Sequence, residues 1–156
     1  MKRALLHVGV VALLAFFIGF ATAATGKAPT EFRGIKWGSH PTGALKRIGG
    51  PSDDPEKLET WTNRNRKLPD FSGIPVAEEG YSFAAGKLYG GQLYIDGDAN
   101  FTNAKSELIK RFGPPDFSND SAKIYKWNWA TASITVTLSY QAKFQRTTIY
   151  FSNKSF

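Results

Sequence analysis

The C-terminal third of the chain alternates. Tyr125, Trp127 and Trp129 fall on one side of an extended segment, opposite Lys126 and Asn128. Ile134, Val136, Leu138 and Tyr140 fall opposite Thr135, Thr137 and Ser139, and Ile149 and Phe151 fall opposite Thr148 and Tyr150. A period of two over this length predicts strands at 123–130, 133–140 and 145–152, with one apolar and one polar face. Three comparable stretches lie earlier, at 58–63, 76–85 and 88–95, and a short strand is expected at 32–37. The last pair of each set can be aligned, SFAAGKLYGGQLYI against SYQAKFQRTTIYF, with a tight turn at AAGK or QAKF.

Between the two sets the period changes. Ala104, Leu108, Ile109 and Phe112 fall at i, i+4, i+5 and i+8 and make one apolar helix face, with Lys105, Glu107, Lys110 and Arg111 elsewhere on the wheel. Gly113 and Pro114-Pro115 end the helix. The phrase LIKRFGPP (108–115) echoes ALKRIGGP (44–51), and that echo predicts a second, shorter helix at 40–48. Ser39 would cap it, Pro41 would open it, and Ala44, Leu45 and Ile48 would form its apolar face. Trp37 and Phe101 then match as large apolar residues just ahead of each helix. One helix on three strands buries too little to stand alone. The expected fold is therefore α+β. Two αβββ units, about 32–96 and 97–156, form one antiparallel sheet of six or seven strands with two helices packed on one face.

The N-terminus reads as an address. Lys2 and Arg3 precede an apolar run from Val8 to Ala21, and Ala21-Thr22-Ala23 supplies a small-x-small cleavage pattern. Residues 1–23 are expected to be a signal peptide, 24–31 a flexible leader, and the mature chain a periplasmic or secreted protein that does not span the membrane. There is no cysteine, which excludes disulfides, thiolate nucleophiles and thiolate metal sites. The net charge of +7 suits an anionic partner, but export argues against nucleic acid.

A strand, then G-[IV]-x-x-G, then a helix ending in G-x-P and an antiparallel meander resembles the β-lactamase inhibitory protein type. It also resembles the small lipoprotein subunit of the outer-membrane β-barrel assembly machine. GIKWGSHPTGALKRIGGP (34–51) and its echo at 101–115 carry the likeness. The tandem form is closer to the inhibitory protein type, although this chain lacks that type's disulfides and the lipoprotein's lipid-bearing cysteine. FRGIKWG near the mature start and the GKLYGG hairpin also resemble a group of exported bacterial proteins. The first resemblance implies a non-catalytic binder that uses its sheet face and loops.

Candidate chemistry is sparse. His40 is the only histidine after the signal, and no serine lies in a G-x-S-x-G elbow. The adjacent acids Glu78-Glu79 and Asp53-Asp54 leave a carboxylate-dependent hydrolase as the weakest reading, since neighbours on a strand point to opposite faces. Asp96, Asp98, Asn100 and Glu107 fall at positions 1, 3, 5 and 12 of a calcium-loop pattern. Position 6 is Phe101 rather than glycine, which favours a turn and helix start instead. Arg64, Arg66 and Lys67 form the densest basic run and would suit an anionic glycan or lipid headgroup. Tyr125, Trp127 and Trp129 are either a stacking platform or core, and the period fits core. Tyr89, Tyr94 and Tyr150 are the better candidates for exposed contacts. No cofactor is expected. The expected function is an exported, non-enzymatic binding protein that recognises another envelope or secreted protein. The alternative is a binder of anionic glycan or lipid.

Overall fold

The computed structural model describes residues 24–50, 58–65 and 67–155. The expected signal peptide, Asp53-Asp54 and Arg66 lie outside the described residues. Strands β1 (Glu31–Phe32) and β2 (Ile35–Lys36) form a small hairpin. The main sheet contains β3 (Leu45–Gly49), β4 (Leu58–Asn63), β5 (Glu78–Ala84) and β6 (Lys87–Asp96). After the helix α1 (Asp98–Phe112) come β7 (Phe117–Asn119), β8 (Ile124–Trp129), β9 (Ile134–Gln141) and β10 (Arg146–Asn153). The eight strands are ordered β3-β4-β5-β6-β10-β9-β8-β7, and every neighbouring pair is antiparallel. The fold is thus α+β and mostly antiparallel sheet. Two four-stranded meanders meet where β6 pairs with β10, with Leu93 opposite Ile149.

Two expectations are corrected. The sheet has eight strands rather than six or seven, because β3 and β7 extend the two edges. Among the described residues there is also one α-helix rather than two, because residues 40–48 are not helical: Gly43-Ala44 lie in a turn and Leu45–Gly49 is the edge strand paired with β4. The segment holds Gly43 and is shorter than a self-supporting helix, so pairing with β4 decides its conformation. Leu45 is buried on the core side, while Ile48, assigned to the same helical face, is 61% exposed. Ser39 caps nothing; its carbonyl accepts from Leu88 N–H at 2.9 Å. His40 therefore lies at no helix end, but beside the turn at Gly86. In α1 the buried residues are Phe101, Ala104, Leu108 and Phe112. Phe101 is inside the first turn rather than ahead of it, and Ile109 is partly exposed.

The β1–β2 hairpin supplies the cover that a second helix was expected to give. Its two-residue turn, Arg33-Gly34, has φ of 52° and 78°, the doubly left-handed geometry of a tight hairpin. Phe32 stacks edge-on against Tyr81 with centroids 5.2 Å apart and lies 5.5 Å from Phe151. Helix α1 covers the centre and the second meander, with Phe112 against Trp127 and Trp129 and Phe101 against Tyr125 and Tyr140. The aromatic strand is therefore core. Trp127 is fully buried and donates to Gly113 O at 2.9 Å, while Trp61 packs against Phe83.

The stretch expected to be a flexible leader, residues 24–31, is docked, and Glu31 already belongs to β1. Gly26 N–H donates to Phe112 O at 3.0 Å, Trp129 Nε1 donates to Gly26 O at 2.7 Å, and Trp37 Nε1 donates to Pro29 O at 2.8 Å.

Two carboxylates clamp the start of α1 and the β7–β8 turn. Asp98 meets Lys123 Nζ at 3.3 Å, and Lys123 also lies over the Tyr140 ring. Asp120 accepts from the Tyr125 hydroxyl and meets Lys105 at 3.4 Å. The Tyr140 hydroxyl and then Lys123 hold the Asp98 carboxyl below its ordinary range; Tyr125 and then Lys105 do the same for Asp120. A depressed folded pKa gives stability that is present above the unfolded value and lost as pH falls through the folded one. The thermal midpoint is therefore expected to fall slightly as pH drops below about 4. In the Asp98→Asn/Asp120→Asn variant, that part of the slope should be missing from thermal scans across pH 2 to 7. An unchanged slope would contradict the clamp.

Candidate functional site

Burial of the aromatics under α1 and the hairpin leaves the other side of the sheet as the extended surface uncovered among the described residues. Alternation builds it. Glu79, Tyr81 and Phe83 are buried, so Glu78, Gly80 and Ser82 face outward. Leu93 and Ile95 are buried, so Gln92, Tyr94 and Asp96 face outward. On the second meander, Thr135, Thr137 and Ser139 of β9 and Arg146, Thr148 and Tyr150 of β10 face the same way. The surface is rich in hydroxyls and tyrosines.

A hollow of about 540 Å³ opens on it in the first meander. Thr60 and Thr62 of β4, Gly80 of β5 and Gln92 and Tyr94 of β6 line it, with Ile48 at one rim and Glu78 and Arg146 at the other. Arg146 meets Asp96 at 2.9 Å and Glu78 at 3.1 Å, so one guanidinium serves two carboxylates. It also lies 5.6 Å from the Tyr94 ring centroid. The Tyr94 hydroxyl donates to Gln92 Oε1, and Thr62 Oγ1 donates to Glu79 O at 3.0 Å. A second hollow of about 430 Å³ lies across Tyr94 and Arg146, bordered by Phe144, which is 64% exposed.

The candidate binding tyrosines separate into two places. Tyr94 stands in the hollow wall. Tyr150 lies over Gly90, with Tyr89 in the adjacent bulge; burial first, and then the Tyr89 phenol, raises the Tyr150 hydroxyl above its ordinary pKa. Arg64 and Lys67 are exposed beyond the end of β4, and Arg64 Nε donates to Leu45 O at 3.0 Å. The calcium-pattern residues are engaged separately: Asp96 with Arg146, Asp98 with Lys123, Asn100 with Asp96 O, and Glu107 with Arg111 and Ser72. Among the described residues, no three acidic or imidazole side chains gather as metal ligands. Glu78 and Glu79 lie on opposite sheet faces, Glu79 against Arg33 in the core and Glu78 against Arg146 outside.

Gly80, Gln92 and Arg146 were missed by reading the sequence. Extending the alternation from Tyr81 and Phe83 back through EEG would have placed Glu78 and Gly80 on the outer face.

No protein-family model, curated protein or solved structure matches this chain. Among the described residues, no helix is long and apolar enough to cross a membrane.

Proposed function

We propose that this chain is an exported, non-enzymatic binding protein, periplasmic or secreted, that recognises another envelope protein through the outer face of its sheet. The observation that carries the reading is the uncovered face itself. Eight strands at about 4.8 Å spacing and about 20 Å of strand length give about 700 Å². One partner's share of a standard protein interface is about 800 Å². Tyrosine and arginine, the residues that dominate such interfaces, stand in its middle as Tyr94, Tyr150 and Arg146. The tandem-sheet resemblance supports the same use of the surface.

The test is capture of a single partner from envelope extract, with Thr137→Arg as the disrupting variant. Thr137 sits on the outer face opposite Tyr150 and away from the core. Capture is expected to survive a rise from about 0.15 M to about 1 M salt, because contacts at the interface centre are poorly screened. It should be lost in Thr137→Arg with no change in melting temperature. Capture that disappears in high salt and in an Arg64/Arg66/Lys67 neutral variant would instead select the anionic glycan or lipid alternative. Capture indifferent to Thr137→Arg would remove the face from the function.

A further inference from the structure

We infer that the hollow around Gly80 is a socket for an arginine side chain of the partner protein. The inference rests on the protein-binding reading of the outer face and names what that face grips.

Gly80 is a glycine that the fold does not require. Glycine inside a strand is destabilising and calls for a reason, such as a bulge, a crowded neighbour, or something from outside that approaches the backbone. Gly91 has a crowded neighbour, since a Cβ there would lie 2.2 Å from the Phe32 ring. Gly90 does too, with the Tyr150 hydroxyl at 2.9 Å. Gly80 has neither. Its φ is not among the positive ones, its pairing with Gln92 is in regular register, and a Cβ would meet nothing nearer than Gln92 Cβ at 4.0 Å. The missing side chain does one visible thing: it opens the floor of the 540 Å³ hollow.

The walls state what fits. Glu78 is a carboxylate with 60% of its side chain exposed, and among the described residues it shares one cationic partner, Arg146, with Asp96. Two carboxylates on one guanidinium leave one negative charge over, in a chain whose net charge is +7. The Thr62 hydroxyl proton is committed to Glu79 O, so in the lining of the hollow its oxygen is left as an acceptor. Tyr94 adds an aromatic wall. A ligand for this site needs a positive charge, several donors and a flat body that can lie on exposed backbone and against a ring. Guanidinium has all three, whereas an ammonium is compact and lacks the plane.

The test titrates ¹⁵N-labelled protein with Nα-acetyl-arginine amide and with its citrulline and lysine counterparts. Saturable shifts are expected at the Gly80, Gln92 and Tyr94 amides. Binding should weaken about tenfold with citrulline, which keeps the plane and loses the charge. Glu78→Gln should weaken arginine binding similarly. Gly80→Val should abolish it while the melting temperature holds or rises by about 2–4 °C, since the strand gains a better strand former. No saturable shift, equal binding of citrulline, or intact binding in Gly80→Val would overturn the socket. So would a lowered melting temperature in Gly80→Val, because the glycine would then serve the fold. Partner capture lost in Thr137→Arg but kept in Gly80→Val would remove the socket and leave the protein-binding reading standing. Arginine binding without any captured partner would do the reverse.

Discussion

Gly91→Ala is expected to destabilise the protein by about 3 kcal/mol, at the upper end of what one methyl group does in a packed interior. The added Cβ would sit 2.2 to 2.5 Å from three atoms of the Phe32 ring. That ring cannot withdraw. It is 3% exposed and wedged between Tyr81 and Phe151, and it belongs to the hairpin that covers the first meander. Relief therefore requires the hairpin to lift, which also pulls Arg33 from its buried partner. The measurement is urea unfolding of Gly91→Ala, Phe32→Ala and the double variant. Phe32→Ala alone should cost about 3–5 kcal/mol through the cavity it leaves. The double variant should cost little more than Phe32→Ala, because the added methyl then enters vacated space. Additive losses would show that the two residues do not meet, and the hairpin would not be seated as described.

That seat also marks where sequence reasoning stopped. The six inner strands were legible because one face is dry and the other wet, so alternation in Tyr125–Trp129 or Ile134–Tyr140 has one structural meaning. Helix α1 was legible for the same reason: Ala104, Leu108 and Phe112 of the expected face are buried, although Ile109 is partly exposed and Phe101 joins the stripe from inside the first turn. Residues 40–48 were not, because Ala44, Leu45 and Ile48 fit a helix face and an edge strand equally well over so short a span. What decided between them was non-local: β4 offered hydrogen-bonding partners, and Leu45 could enter the core beside it. The hairpin was hidden because Arg33-Gly34 is not among the usual two-residue turn pairs, and its arginine turns inward against the ordinary rule for charge. The outer face could be inferred as the complement of the core, and Tyr94 and Tyr150 were placed on it. Gly80 could not be singled out, since the GG pair at 90–91 is the more conspicuous one in the sequence. Only three-dimensional crowding distinguishes a glycine that the fold needs from one that leaves room.

Removing Glu79 is expected to cost about 3–5 kcal/mol, the penalty for breaking a buried ion pair from one side. Arg33 Nε stands 3.1 Å from Glu79 Oε2, with side-chain exposures of 15% and 1%. Glu79 Oε1 also accepts from the Tyr81 hydroxyl at 2.7 Å and from Asn63 Nδ2 at 2.9 Å. The remaining nitrogens of Arg33 donate to Pro69 O at 2.7 Å and Asp70 O at 3.2 Å. One guanidinium thereby joins the hairpin, β5 and the 69–70 segment. Glu79→Ala leaves that charge uncompensated and a buried phenol without its acceptor. Its loss in urea unfolding should be several times that of Glu78→Ala, whose carboxylate is solvated on the outer face. The paired swap Arg33→Met/Glu79→Met should recover most of the stability, because two apolar side chains need no compensation where one charge does. Tyr81 gives an independent readout. Burial and then the Glu79 hydrogen bond push its hydroxyl far above the ordinary tyrosine range. In Glu79→Gln the phenol should ionise at lower pH, visible in an ultraviolet titration. If Glu79→Ala proves mild and the Tyr81 titration does not move, the hairpin is held by Phe32 alone and the ion pair is a passenger. A large loss with a shifted phenol would make the charged network the fastening that lets a two-strand hairpin stand where a helix was expected.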